Sequence, residues 1–105
     1  MPLASINPAT GETIKTFDEL SESEIENKLE RAEKTFHEHR LTSFADRAEK
    51  MMHAAELLES QKKQLAQTMT GEMGKPIKAA MAEAEKCAWV CRYYAENAEG
   101  FLRMS

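Results

Sequence analysis

Apolar residues recur at helical spacing over most of the chain, and the pattern is longest after Pro76. There the apolar positions alternate in steps of four and three over several heptads, which indicates one long helix. A helix from Pro76 to Leu102 is about 40 Å long at 1.5 Å per residue. We call its main apolar row the seam, and it consists of Ile77, Met81, Ala84, Ala88, Cys91, Ala95, Ala98 and Leu102.

Half of the seam is alanine, which lets a neighbouring backbone approach closely but buries little apolar area. Further apolar residues surround the seam, and only a narrow polar strip remains on the helix. Such a helix is normally enclosed by other elements. The rest of the chain supplies too few elements, so the pattern predicts a piece of a larger fold. The flanking residues are Ala80, Cys87, Tyr94 and Phe101, with Trp89, Val90 and Tyr93 on the far side.

Two amphipathic helices are predicted before residue 60. The first begins near Ser21 or Ser23, where serine and glutamate have the spacing of a capping box. We expect its apolar face to be buried, and this face consists of Ile25, Leu29, Ala32 and Phe36. Ser43 caps the second helix after a break at residues 41–43. Its inward residues are Phe44, Ala48, Met51, Ala55 and Leu58.

A shallow break near Ser60 leads into a shorter helix that ends at Gly74. Its predicted inward residues are Leu65, Met69 and Met73. Pro76 is predicted to be the first residue of the long helix, where its missing N–H costs nothing.

The first 17 residues lack helical periodicity and predict a short β-hairpin. Residues 4–6 and 13–17 form its strands, and Pro8 and Gly11 occupy the turn between them. Two isolated strands are marginally stable in water, so the hairpin needs a surface to join. The predicted fold class is therefore mainly α, with three to four helices, a long last helix and a short amino-terminal hairpin.

The charge balance narrows the class of partner. The formal net charge is -4, which argues against nucleic acid or an anionic membrane as the main partner. The first residues lack the features of a signal peptide, and no apolar run reaches the length of a membrane span. The sequence thus predicts a cytoplasmic protein.

No residue pattern predicts a catalytic, cofactor-binding or metal-binding site in this chain. Cys87 and Cys91 are four residues apart, which favours neither a disulfide nor a redox pair, and we expect buried, reduced thiols. The three histidines fit no zinc spacing. The GEMGKP motif at residues 71–76 lacks the first glycine and the final Ser or Thr of a phosphate loop, so it is interpreted as a helix stop and restart.

Three stretches together resemble the amino-terminal portion of the aldehyde dehydrogenase superfamily, most closely its bacterial succinate-semialdehyde dehydrogenases. They are INPATGE at residues 6–12, TGEMGKPIKAA at 70–80 and AEKCAWVCRYYAENAE at 84–99. The resemblance covers essentially the whole chain. It implies that residues 1–105 are the amino-terminal segment of a dinucleotide-binding domain within an α/β fold, without a complete second domain.

The resemblance also implies the chemistry of a longer protein. Complete enzymes of this family oxidise aldehydes with NAD or NADP through a cysteine nucleophile in a Gly-Gln-x-Cys context, and neither cysteine here has those neighbours. We therefore expect the chain alone to be inactive and to bind no cofactor. The long helix of the family runs beside the substrate entrance, and the resemblance implies that Glu83, Lys86 and Val90 approach that entrance in an intact enzyme.

Two hypotheses follow from the sequence. In the first, the chain is the amino-terminal fragment of an NAD(P)-dependent aldehyde dehydrogenase that oxidises succinate semialdehyde to succinate when complete, and its partner is the remainder of that enzyme. In the second, it is a freestanding helical interaction protein that pairs with another copy, or with an aldehyde dehydrogenase subunit, through the alanine-rich seam.

Overall fold

A two-stranded antiparallel hairpin precedes four helices in the computed structural model, which describes residues 3–103. This arrangement confirms the predicted fold class. The strands are β1 (Leu3–Ile6) and β2 (Thr13–Phe17). The helices are α1 (Glu22–His39), α2 (Phe44–Ser60), α3 (Lys62–Met73) and α4 (Ile77–Arg103).

The hairpin turn is closed by two backbone hydrogen bonds. The Asn7 N–H donates to the Glu12 carbonyl at 2.9 Å, and the Gly11 N–H donates to the Asn7 carbonyl at 2.8 Å. Gly11 has φ +77°, a left-handed conformation that glycine adopts without a steric cost. β1 and β2 pair from Leu3 opposite Phe17 to Ile6 opposite Thr13, with a bulge between Ser5 and Ile6.

Both predicted helix caps are confirmed. The Ser21 hydroxyl accepts from the Glu24 N–H at 3.2 Å, and the Glu24 carboxylate accepts from the Ser21 N–H at 3.4 Å. This reciprocal pair is the capping box predicted for α1. The Ser43 hydroxyl accepts from the Asp46 N–H at 3.1 Å and starts α2 in the same way.

The turn between α3 and α4 is set by Gly74. Its φ is +72°, and its N–H donates to the Thr70 carbonyl at 3.0 Å, which ends α3 as predicted. The prediction for Pro76 was wrong by one residue. α4 begins at Ile77, and the Pro76 carbonyl accepts from the Ala80 N–H at 2.9 Å, so proline holds the capping position just before the helix.

α2 and α3 run antiparallel to α4 and cover one side of it, α3 along the first half and α2 along the second. Phe44 at the start of α2 shares a groove with Leu102 near the end of α4, while Lys62 at the start of α3 pairs with Glu85. Among residues 3–103, all of the buried residues are alanines, which lets the helix backbones lie close together. These alanines are Ala55, Ala66, Ala80, Ala84 and Ala88.

This packing corrects the second hypothesis. The middle of the seam, at Ala84 and Ala88, is already buried against the chain's own α2 and α3. It therefore is not a free surface for another copy. The two ends of the seam, Ile77 and Leu102, are exposed, because α2 and α3 cover the middle of α4 more fully than its ends.

The predicted burial of α1 was wrong. Ile25, Leu29 and Phe36 are 46%, 60% and 58% exposed, Ala32 is also exposed, and α1 buries no residue. The physical reason is that no element within residues 3–103 covers this face. The chain's radius of gyration is 18.1 Å, against about 13 Å for a compact domain of 100 residues, so much of its apolar surface is uncovered.

Further burial predictions were wrong. Phe44 and Met51 of α2, predicted to face inward, are 38% and 37% exposed. Met73 is exposed because α3 ends at that residue and no described element lies over its side chain. Cys87 is exposed and Cys91 is half-buried, because the covered stripe of α4 is centred on alanines beside them; both are free thiols. Within residues 3–103, no helix is both long enough and apolar enough to cross a membrane.

Candidate functional site

The residues that the sequence singled out on α4 share one exposed side of the helix, which we call the outer face and define as Glu83, Lys86, Trp89, Val90 and Tyr93. A helix advances by about 100° per residue, so these positions lie away from the buried alanines. Trp89 is 55% exposed and Tyr93 39% exposed, while Val90 is half-buried. The outer face is therefore accessible to a ligand or to another part of a larger protein.

Aromatic rings give the outer face a defined shape. Trp89 and Tyr93, one turn apart, stack with ring centroids 5.5 Å apart and an interplanar angle of 15°. Tyr93 also meets Tyr94 edge to face at 5.3 Å and lies 6.1 Å from Phe101. Aromatic pairs at such distances restrain one another and contribute about 0.5–1.5 kcal/mol beyond their buried area.

Lys86 places a positive charge on this aromatic surface. Its Nζ lies 4.5 Å from the centroid of the Trp89 ring, a cation–π contact with the indole face. Within residues 3–103, no carboxylate forms an ion pair with Lys86. The contact holds the ammonium group in place and leaves its charge available to an anion.

Glu83, the other charged residue of the outer face, forms an ion pair with Lys75. Its carboxylate accepts from Lys75 Nζ at 2.9 Å, and Lys75 belongs to the turn between α3 and α4. The pair therefore fastens the first turns of α4 to the preceding turn. Counted together, Lys75, Glu83 and Lys86 carry a formal net charge of +1, and Lys86 is the member of this group without an ion-pair partner among residues 3–103.

The hairpin packs on the GEMGKP motif at residues 71–76, and we call this contact surface the hairpin seat. The Ser5 hydroxyl donates to the Glu72 carboxylate at 2.6 Å. A methyl group added at Gly71 would lie 3.7 Å from Ile14 Cδ1, and one added at Gly74 would lie 3.4 Å from Pro8 Cγ. Both distances are ordinary van der Waals contacts, so the hairpin packs directly on the end of α3, which supports the interpretation of the motif as a structural element.

A charge network joins α2, α3 and α4 at the break between the first two. Lys62 Nζ lies 3.0 Å from the Glu85 carboxylate and 3.8 Å from that of Glu59, and the Arg92 guanidinium lies 3.3 Å from Glu59. The hydrogen bond to Glu85 is the main cause of a raised Lys62 pKa, and the nearby Glu85 and Glu59 charges add to it. The network orients α3 where it continues from α2.

Some of these features could have been found in the sequence and others could not. Glu83, Lys86 and Val90 do share a face, as their spacing of three and four residues implies. Sequence reasoning missed the hairpin seat, because its contacts join residues that are far apart in sequence. It also missed the charge network, because opposite charges far apart in sequence give no local pattern. In residues 3–103, no group of three or more His, Cys, Asp or Glu side chains is arranged to hold a metal ion.

Comparison with known proteins places these features in a family. The sequence model of the aldehyde dehydrogenase family matches residues 1–103. The chain is 53% identical over 102 residues to succinate-semialdehyde dehydrogenase [NADP(+)] 1 of Mycobacterium tuberculosis, covering 97% of this chain and 22% of that protein. It is 47% identical over 102 residues to the probable succinate-semialdehyde dehydrogenase [NADP(+)] of Synechocystis, with the same coverage of 97% and 22%.

Solved structures share the fold of this segment. The structure of Gox0499 superposes with a TM-score of 0.91 at 30% identity, over 97% of this chain and 23% of that chain. Succinic semialdehyde dehydrogenase from Streptococcus pyogenes, in complex with NADP+, superposes with a TM-score of 0.88 at 31% identity, over 95% and 22%. The chain spans about a fifth of the length of these relatives. The chain belongs to the aldehyde dehydrogenase family.

Proposed function

We propose that residues 1–105 are the amino-terminal segment of the dinucleotide-binding domain of a succinate-semialdehyde dehydrogenase. The intact enzyme oxidises succinate semialdehyde to succinate. The observation that carries the proposal is the 53% identity, over 97% of this chain, to an enzyme of that name. The shared fold, with a TM-score of 0.91, supports it.

NADP is the proposed cofactor of the intact enzyme. The curated relatives carry NADP(+) in their names, and a structural neighbour was solved in complex with NADP+. Sequence alone left NAD and NADP open, so the relatives now favour one of them. The nucleophile and the dinucleotide-binding residues belong to the remainder of the enzyme, since neither Cys87 nor Cys91 has the Gly-Gln-x-Cys context. The segment alone is inactive.

The role of this segment is to support the domain and to contribute the outer face of α4 to the substrate entrance. Glu83, Lys86 and Val90 are the residues that line it. Their common, accessible side of α4 supports this role, as does the fixed position that the Lys75–Glu83 pair gives to the start of the helix.

The partner of this segment is the remainder of the enzyme. The uncovered faces of α1 and of the hairpin, together with the large radius of gyration, support a missing body of protein. The proposed compartment is the cytoplasm, because a free, exposed thiol at Cys87 fits a reducing environment.

The proposal is tested with a full-length enzyme in which residues 1–103 of this chain replace the matching segment of the Mycobacterium tuberculosis relative. We expect the chimera to produce NADPH from NADP and succinate semialdehyde at a rate within tenfold of the parent. The isolated 105-residue chain is the matched control and should produce none. A chimera that folds with the parent's assembly but lacks activity would contradict the proposal, as would activity of the isolated chain.

A further inference from the structure

We propose that Lys86 is a steering residue for the carboxylate of the substrate, held in position by Trp89. The inference rests on the proposed function, because it requires that the outer face of α4 border the substrate entrance. It adds the chemistry that this face would recognise, an aldehyde that carries a negative charge.

Lys86 places a positive charge on the outer face. Lys75 Nζ pairs with the Glu83 carboxylate at 2.9 Å, whereas no carboxylate in the described part of the chain pairs with Lys86, so these three residues together carry a formal net charge of +1. The chain as a whole has a formal net charge of -4, so this local positive charge is opposite in sign to its average. A charge of this kind attracts anions and raises the rate at which they reach a nearby opening.

Trp89 restricts the position of the Lys86 charge. A lysine side chain on a helix surface samples many rotamers, which spreads its charge over a wide volume. The Trp89 ring, 4.5 Å from Lys86 Nζ and stacked on Tyr93, restrains the ammonium group while leaving it solvated. Trp89 therefore acts as a positioning residue, through Lys86.

The proposed substrate has a negative charge that Lys86 can attract. Succinate semialdehyde, the substrate in the names of the relatives, carries a carboxylate at the end opposite to its aldehyde. A cation beside the entrance acts on that carboxylate during approach and does not take part in the oxidation. It therefore contributes to kcat/KM for anionic aldehydes, with no contribution to kcat or to uncharged aldehydes of the same chain length.

The experiment uses the full-length chimera and compares succinate semialdehyde with butanal. At low ionic strength, Lys86→Glu should lower kcat/KM for succinate semialdehyde about threefold, and Lys86→Gln should lower it by a smaller factor. The kcat values and the rates with butanal should not change. The loss should disappear in about 1 M salt, where the Debye length is about 3 Å. Lys34→Glu, an equal charge change on α1, is the control and should change neither substrate.

Variants of Trp89 test whether its ring positions Lys86 or only packs against the neighbouring aromatic rings. Trp89→Leu should reproduce part of the Lys86→Gln effect, and Trp89→Phe, which keeps an aromatic face, should restore the parent selectivity. The steering role is contradicted if Lys86→Glu affects both aldehydes equally, if its effect does not depend on salt, or if Lys34→Glu matches it. A parent chimera with no activity toward succinate semialdehyde would instead contradict the proposed function, so the two failures are distinguishable.

Discussion

α1 and α4 each carry an apolar face at helical spacing, but only the face of α4 is buried. In α4, Ala80, Ala84 and Ala88 are buried, because α2 and α3 lie antiparallel against them. In α1, the larger side chains of Ile25 and Leu29 stay exposed. The pattern of a helix therefore predicts which face will be buried but not whether the same chain supplies the partner.

The residue types explain the difference. Alanine buries little area but permits close contact between helix backbones, which short neighbouring helices can provide. Isoleucine, leucine and phenylalanine need a broad apolar surface, such as a sheet or several helices. The chain spans about a fifth of its curated relatives, and we expect the partner of α1 to belong to the remaining length.

The largest expected contrast comes from placing a charge on each helix. Ala88→Glu puts an unpaired carboxylate between packed alanines and should lower the free energy of unfolding by about 3 kcal/mol or more. Leu29→Glu, the matched change on α1, should alter it by less than about 0.5 kcal/mol, because that position is already exposed. Urea unfolding of the 105-residue chain, followed by circular dichroism, measures both. Equal losses would show that α1 is packed as tightly as α4.

A second contrast tests the turn at Gly74, which places α4 against α2 and α3. Gly74→Ala forces a side chain into a left-handed conformation at φ +72°, with Pro8 Cγ 3.4 Å away, and should cost about 1–2 kcal/mol. Gly100→Ala is the control. Gly100 lies within α4 with nothing within 4 Å of an added methyl group, so alanine should stabilise the helix by about 0.5–1 kcal/mol. Thermal unfolding of both variants would reveal opposite shifts, and shifts of the same sign would contradict the assigned turn.

The two serine caps sharpen the comparison of α1 with the packed helices. Ser43→Ala removes the cap of α2 and should lower the free energy of cooperative unfolding by about 1 kcal/mol. Ser21→Ala removes an equivalent cap, but α1 buries no residue, so we expect it to fray locally without moving the cooperative midpoint. Amide hydrogen exchange, combined with urea unfolding, separates the two results. An equal change of midpoint for both variants would mean that α1 unfolds together with α2 and α4.

Local chemistry was the part of the fold that could be predicted from the sequence. Ser21, Ser43 and Gly74 act through hydrogen bonds to residues three or four positions away, so their roles are visible in a short window. The burial of Phe36 and Met73 was mispredicted because burial depends on distant elements. For the candidate site, the common face of Glu83 and Lys86 followed from helical spacing. The ion pair of Glu83 with Lys75 and the contact of Lys86 with Trp89 became visible only in three dimensions.

The smallest expected effect concerns the charge network that holds α3 in line along α4. Lys62 has a raised pKa in the folded chain, chiefly because it donates to Glu85, so the folded state binds this proton more tightly than the unfolded state. Its stabilising effect is therefore fully present below the ordinary lysine pKa of 10.5 and is lost as the pH rises through the raised value. Lys62→Met should be slightly less stable than the parent at pH 7, and the difference should shrink as the pH rises through the raised Lys62 pKa.

Lys63→Met is the control, because it removes a lysine next in sequence while the contacts of Lys62 with Glu59 and Glu85 remain intact. Because the Lys62 side chain is accessible to solvent, added salt should also reduce the Lys62→Met effect at pH 7. Thermal unfolding of the three proteins at several pH values measures the comparison. A Lys62→Met deficit that grew with rising pH would contradict the assigned sign. A deficit that persisted unchanged in strong salt would show that packing of the lysine stem, rather than its charge, joins α3 to α4.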